Sequence, residues 1–479
     1  MTIRHLGLIV SLAGTGLVLA HPDAIGAWRG AIAPGSIDLE IRVTIGVDAT
    51  GDGLVGTIDI PAQGFVGQPL VNVVQKGDAI SFAVPGIPGD PIFDGVIDGE
   101  RLSGTFSQGG QALEFALERD AEPAALRPQE PLPPFPYDEE EVAFASGEVT
   151  LAGTLTLPPD EHVVPGLLLI TGSGAQDRNE EILGHKPFLV IADHLTRAGF
   201  AVLRVDDRGV GGSTGSDADA TFDDLVGDAL AGVELLRAHP RVDGDRVGLL
   251  GHSQGGYLAP VAALEADSGV AFVILMAGPA LDGFSVLVAQ NERIFDLALR
   301  QADPEVSDEV VTETIAGQIA FLEALNAALQ GDDVAAARAL VRERVEAEMA
   351  VMPADQRLAG DELEAFLALQ KEAVTSPVFR SFLAFDPQPY LRRLTVPTLA
   401  FFGSLDLQVP PEQSEGPMRE ALDAAGNPDA TVITFEGLNH LMQPAVTGGV
   451  DEYGAIETTV DPAVLETIAR WLQERFLTR

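Results

Sequence analysis

The chain has 479 residues, 46% of them hydrophobic, a formal net charge of −43 at pH 7, a mean hydropathy of +0.18 and no cysteine. That length suits two or three folded units, and that apolar content fills a sizeable core, which excludes wholesale disorder. The acidity argues against nucleic acid and anionic membrane surfaces as partners. The missing thiols exclude disulfides, thiolate metal sites, a cysteine nucleophile and a lipid anchor on cysteine.

Residues 1–20 read as an export signal. Arg4 and His5 precede an apolar run from Leu6 to Ala20 that is short for a membrane span. Val18-Leu19-Ala20 supplies the small residues of a cleavage site, so the expectation is a periplasmic or secreted protein without a stable membrane anchor. Residues 21–121 are expected to be all-β, barrel- or sandwich-like. "IDLEIRVTIGV", "GLVGTIDI", "DAISFAVPG" and "RLSGTFSQ" alternate and are separated by Gly, Asp and Pro. Nothing there gathers His, Asp and Glu into a chemical cluster. Residues 122–137, "EPAALRPQEPLPPFPY", carry six prolines and read as an extended, semi-rigid linker.

From Asp138 to the end at residue 479 the pattern changes. "EEVAFAS" and "TLAGTLTLP" suggest an opening hairpin. Continuous apolar runs follow, among them "GLLLITGSG", "FAVLRVDD", "RVGLLGHS", "AFVILMAG", "TVPTLAFFGSLD" and "ATVITFEGLNH". Amphipathic stretches such as "PFLVIADHLTRAG" lie between most of them. Buried strands alternating with helices predict a mostly parallel sheet with helices on both faces. Residues from 281 to about 390, rich in Ala, Leu, Glu and Arg at helical spacing, read as a helical insertion between two strands.

The pattern G-x-S-x-G occurs twice, around Ser213 and around Ser253. A nucleophile elbow needs a strand that stops abruptly and a helix that starts at once, so that the hydroxyl stands at a helix N-terminus. Ser253 has "VGLL" before it and "GGYLAPVAAL" after it. Ser213 has "DDRGVG" before it and the polar "SDADATFDD" after it, and reads as a turn serine. In this architecture the chain order is nucleophile, acid, histidine. Of eight histidines only His440 lies beyond Ser253, in a loop after an expected strand. Asp406, just past the strand of "TVPTLAFFGSLDLQVPP", is the candidate acid, ahead of Asp386, Asp423, Asp429 and Glu436. It would hold the imidazole in its productive tautomer. Oxyanion donors are expected from the Gln254 backbone and from Ser173 or Gly174 in "TGSGAQDRNE". No G-K-[ST] follows that loop, so it is no phosphate loop. Asp206, Asp207 and Arg208 read as an internal ion-pair corner without chemistry.

Taken together, "GHSQG", "GSGAQDRNE", "LRVDDRGVGGSTG" and "GSLDLQVP" resemble the α/β-hydrolase superfamily, and within it a bacterial carboxylesterase group with a signal peptide and an N-terminal β domain. The resemblance covers residues 138–479 well and the β domain more loosely. It implies an α/β-hydrolase fold with a helical cap at 281–390, Ser253 as nucleophile, Asp406 as acid and His440 as base. The chain departs from the common His-Gly oxyanion motif by having Thr171-Gly172. The expected activity is hydrolysis of small-molecule esters with short to medium acyl chains, needing no metal or cofactor. An aminopeptidase or thioesterase would use the same triad. A lipid- or glycan-binding role of the β domain is a further alternative.

Overall fold

The computed structural model describes residues 24, 26–32, 39–47, 54–60, 65–85, 89, 91–109, 111–119, 127–159, 162–351, 357–358 and 360–477. The expected export signal lies outside these residues, as do residues 122–126 of the expected linker. The chain forms two compact units whose main division in sequence falls between Leu126 and Arg127, the stretch Glu348–Leu363 counting with the first.

The first unit holds strands β1 (Gly26–Ile32), β2 (Leu39–Val47), β3 (Leu54–Ile60), β4 (Phe65–Pro69), β5 (Val71–Lys76), β6 (Ala79–Ala83), β7 (Ile92–Asp98), β8 (Arg101–Gln108) and β9 (Gln111–Arg119). They form one antiparallel sheet in the order β4-β3-β2-β1-β9-β8-β7-β6-β5. Only Leu70 separates β4 from β5, so the two end strands are arms of one bent strand and the sheet closes on itself as a barrel. Period-two alternation builds it: β7 is exposed and buried by turns along its length. Trp28, Val43, Phe82, Phe93 and Phe115 fill the interior, and Trp28 Nε1 donates to the Ala24 carbonyl at 3.0 Å.

The second unit begins with β10 (Asp138–Ser146), β11 (Val149–Leu157), β12 (Val164–Ile170), α1 (Pro187–Arg197), β13 (Ala201–Val205) and α2 (Phe222–Ala238). It continues with β14 (Val242–His252), α3 (Gly255–Leu264), β15 (Val270–Met276) and the helices α4 (Gly283–Ala302), α5 (Asp308–Gln330), α6 (Val334–Val351), α7 (Gly360–Thr375), α8 (Pro377–Ala384) and α9 (Gln388–Leu391). The last elements are β16 (Thr398–Gly403), α10 (Pro411–Ala424), β17 (Ala430–Phe435), α11 (Val450–Tyr453) and α12 (Pro462–Phe476). The sheet order is β10-β11-β13-β12-β14-β15-β16-β17. The hairpin β10–β11 and the β11–β13 pair are antiparallel, and all later neighbours are parallel.

The apolar runs explain the layers. In β12, Leu168 and Ile170 face a core shared with α2, α3 and α10, whereas Leu167 and Leu169 face a core shared with α1 and α12. A strand buried on both faces cannot alternate with polar residues, hence "LLLI". Helix α2 is started by a capping box, in which Thr221 and Asp224 each bond the other's backbone. The interval between β15 and β16 is helical from α4 to α9, and it leans on the elbow helix α3. The Tyr257 hydroxyl donates to the Leu281 carbonyl at 2.6 Å, and its ring packs with Phe382 and Phe385. Among the described residues no helix is long and apolar enough to cross a membrane.

Candidate active site

The carboxyl ends of the parallel strands gather the candidate residues along one sheet edge, where open α/β sheets place their sites. Strand β14 ends at His252 and α3 begins at Gly255, which leaves Ser253 and Gln254 as the whole turn. Ser253 takes a left-handed backbone, φ +51°, which a side chain adopts only when its surroundings enforce it. Its N–H donates to the Met276 carbonyl at 2.9 Å, and its carbonyl accepts from Gly256 N at 2.8 Å. The flanking glycines are sterically required. A Cβ on Gly251 would stand 2.1 Å from the Gly255 oxygen, and one on Gly255 would stand 2.4 Å from the Ile170 oxygen. Among the described residues the Ser253 hydroxyl has no hydrogen-bond partner, so the structure brings it to the same edge as His440 without joining the two.

His440 and Asp406 are joined directly. Asp406 follows β16 and His440 follows β17; both are 3% exposed, and Asp406 Oδ2 lies 2.8 Å from His440 Nδ1. The other oxygen of Asp406 accepts the N–H groups of Gln408 and Val409, each at 2.8 Å, which fixes the carboxylate plane. With Nδ1–H donating to the carboxylate, Nε2 is left as the basic nitrogen. The histidine loop is held by Asn439, whose Oδ1 accepts from Leu441 N at 3.0 Å and Gln443 N at 2.9 Å. The rival acids are engaged elsewhere or away from His440: Asp386 caps the Gln388 N–H at 2.9 Å, Asp423 lies in α10, and Asp429 pairs with Arg475 at 2.6 Å. Glu436 follows the end of β17, and the carboxylate that His440 meets is that of Asp406.

After β12 the chain turns through Thr171, Gly172, Ser173 and Gly174. The Gly172 N–H donates to Glu180 Oε1 at 2.7 Å, so that amide is taken. Among the described residues the amides of Ser173 and Gln254 donate to no protein acceptor. Ser213 is a structural turn residue: it is 8% exposed, its hydroxyl donates to the Asp206 carbonyl at 2.7 Å and accepts from Ala152 N at 2.9 Å.

Two features depart from the sequence reading. Asp206, Asp207 and Arg208 form no ion-pair corner with one another. Asp206 pairs with Arg178 at 2.8 Å, Arg208 with Asp228 at 2.6 Å, and Asp207 accepts from Thr171 Oγ1 and Gln176 N, each at 2.9 Å. Burial raises the Asp207 carboxyl well above its ordinary range. The second departure is Glu180. It passes in sequence for one more surface acid, yet it is 2% exposed and lies 2.8 Å from His252 Nδ1. A glutamate eight residues beyond the first glycine of the loop, in "GSGAQDRNE", was the only signal available.

The Hydrolase_4 family, described as serine aminopeptidase, S33, matches residues 186–309. Esterase EstD of Thermotoga maritima is 26% identical over 335 residues, covering 69% of this chain and 68% of that one. Among solved structures, the α/β hydrolase GrgF from Penicillium sp. sh18 is 17% identical with a TM-score of 0.42, covering 71% of this chain and 100% of its own. The Pyrococcus furiosus esterase Pf2001 is 15% identical with a TM-score of 0.42, covering 71% and 92%.

Proposed function

We propose that this chain is a member of the α/β-hydrolase superfamily and a serine esterase that cleaves carboxylic esters with short to medium acyl chains, a reading supported by the family match over residues 186–309 and the likeness to an esterase. The observation that carries the reading is the buried Asp406–His440 contact of 2.8 Å beside a serine held at φ +51° between a strand and a helix. In the first half-reaction Ser253 Oγ attacks the ester carbonyl while His440 Nε2 takes the hydroxyl proton. Asp406 keeps the imidazole in the tautomer that makes this possible and stabilises the imidazolium. The oxyanion is received by the free amides of Gln254 and Ser173, with Gly174 next in line. His440 returns the proton to the departing alcohol. Water then attacks the acyl-enzyme by the same route, releasing the acid. The Ser253–His440 hydrogen bond is completed as substrate binds, since catalytic contacts of this kind tighten in the Michaelis complex.

The helices α4 to α9 are, in this reading, a cap over the sheet edge that shapes the acyl or alcohol pocket. Residues 1–20 direct export; fractionation of cells producing the full chain tests that, and a product retained in the cytoplasm with an intact N-terminus refutes it. The family description favours one second reading, aminopeptidase action with the same triad. Hydrolysis of a p-nitrophenyl acyl series and of aminoacyl p-nitroanilides, by wild type and Ser253→Ala in parallel, decides between them. Ester turnover abolished by the substitution supports the esterase. Turnover confined to the anilides supports the peptidase, and turnover unaffected by the substitution refutes both.

A further inference from the structure

Behind Ser253 lies a second histidine–carboxylate contact that acyl transfer leaves unused. His252 Nδ1 sits 2.8 Å from Glu180 Oε1, and the same oxygen accepts the Gly172 N–H at 2.7 Å. On the far side of the ring, His252 Nε2 lies 3.2 Å from the carbonyl oxygen of His440, and the two imidazoles are 4.8 Å apart, centre to centre. Both side chains are almost wholly enclosed, His252 at 3% and Glu180 at 2% exposure. A carbonyl only accepts, so Nε2 carries a proton; a second proton is held between Nδ1 and Glu180. Glu180 itself has a left-handed backbone, φ +52°, held by its N–H donating to the Asp177 carbonyl at 2.8 Å. A non-glycine residue in that region marks a position the fold enforces.

We propose that Glu180 and His252 are positioning residues of the active site. Through one carboxylate oxygen and one imidazole they tie together the oxyanion loop at Gly172, the end of β14 next to Ser253, and the backbone of His440. The proposal rests on the serine-hydrolase reading above. Pairing of β12 with β14 registers the first two segments as far as Ile170 and Gly251, but the His440 loop follows β17, three strands away from β14 in the sheet, and pairs with neither. A drift between them separates nucleophile, base and oxyanion donor together, and small misplacements of that kind are expensive in rate.

The proton held in the pair gives the proposal a pH signature. Burial works against a charged His252, but the Glu180 carboxylate outweighs it and raises the imidazole's pKa above the ordinary histidine value. The other titratable groups near the pair are Asp406, His440 and Asp207. A glutamine at 180 cannot serve all three contacts. If its carbonyl faces Gly172 and His252, a neutral His252 places its only proton on Nδ1 and turns a lone pair on the His440 carbonyl. If its amide faces His252, the Gly172 N–H loses its acceptor. Only a doubly protonated His252, favoured at low pH, restores the full chain of bonds.

The test is the rate at which Ser253 is labelled by a fluorophosphonate, measured between pH 6 and 9 for wild type, Ser253→Ala, Glu180→Gln and His252→Gln, together with kcat and KM on a p-nitrophenyl ester. Glu180→Gln is expected to label about 10- to 100-fold more slowly, to lose kcat with KM changed by no more than about twofold, and to fall further behind wild type as pH rises. Labelling and kcat equal to wild type across that range overturn the proposal. So does a pH-independent loss that tracks a lowered melting temperature. Should Glu180→Gln fail to fold, His252→Gln, which has no imidazole to titrate, is expected to lose labelling rate and kcat by a similar factor at every pH with an unchanged melting temperature, and wild-type labelling and kcat there overturn the proposal. A wild type not labelled at Ser253 instead fails the serine-hydrolase reading, and the positioning role falls with it; fast labelling in Glu180→Gln fails the positioning role alone.

Discussion

Ser213 and Ser253 stand in the same five-residue pattern, each with glycines two places before and after, and the fold treats their hydroxyls in opposite ways. The Ser213 hydroxyl is consumed twice, by the Asp206 carbonyl and the Ala152 amide, and so pins a loop to β11. The Ser253 hydroxyl, among the described residues, has no hydrogen-bond partner, on a backbone forced to φ +51°. What separates them is the distance to the next helix. Helix α3 begins two residues after Ser253, whereas α2 begins at Phe222, nine residues after Ser213, behind its own capping box. The motif leaves its hydroxyl available only where strand and helix meet so tightly that the serine has no room to satisfy itself.

Four substitutions break or sharpen this contrast. Ser253→Ala is expected to lower kcat by about 10⁴-fold or more with no loss of melting temperature. Activity retained there and lost in Ser213→Ala would reverse the assignment. Gly255→Ala brings a methyl within 2.4 Å of the Ile170 oxygen and 2.7 Å of the Thr171 oxygen, so the strand–helix junction must open. A loss of about 3 kcal/mol in urea unfolding is expected; a wild-type midpoint would show that the elbow is not sterically tight. Ser213→Ala strands one part-buried amide and one buried carbonyl and is expected to lower stability by about 1–3 kcal/mol while leaving kcat intact. The smallest effect is expected at Asp217, in the same turn as Ser213. Burial, only partly offset by Arg208, raises its carboxyl to about 6. The folded state then holds this proton more tightly than the unfolded chain. The favourable contribution is complete below the ordinary carboxylate pKa and is lost as pH rises through about 6. Asp217→Asn should therefore stabilise the protein at pH 8 by about 1 kcal/mol and do little at pH 4. Equal melting-temperature shifts at the two pH values would contradict it.

The placement of the candidate residues along one sheet edge was legible because strand ends announce themselves. The apolar runs ending at Ile170, His252, Gly403 and Phe435 mark the sheet edge, and chain order leaves one histidine downstream of Ser253. Asp406 was readable for the same reason, coming just past a run that could only be a buried strand. Glu180 was not readable. It belongs to a loop without periodicity, in a chain with 72 acidic residues, and burial of a loop acid is decided by distant strands rather than by its neighbours. The same limit explains Asp206, Asp207 and Arg208. Adjacent charges look like one cluster in sequence, but consecutive residues leaving a strand point in different directions, and each meets a different partner.

The closure of the N-terminal barrel has a consequence in time. Strand β1 pairs with β9, so Trp28 lies opposite Arg119, and the first strand made is the last to be enclosed. Until some ninety further residues have joined it, β1 has β2 on one flank and nothing on the other. Assembly of this unit is thus a clasp that snaps shut only when both ends are present. A chain halted before β9 exposes an open, hydrogen-bond-hungry edge to any β-prone neighbour, and newly emerged copies of itself are the nearest such neighbours.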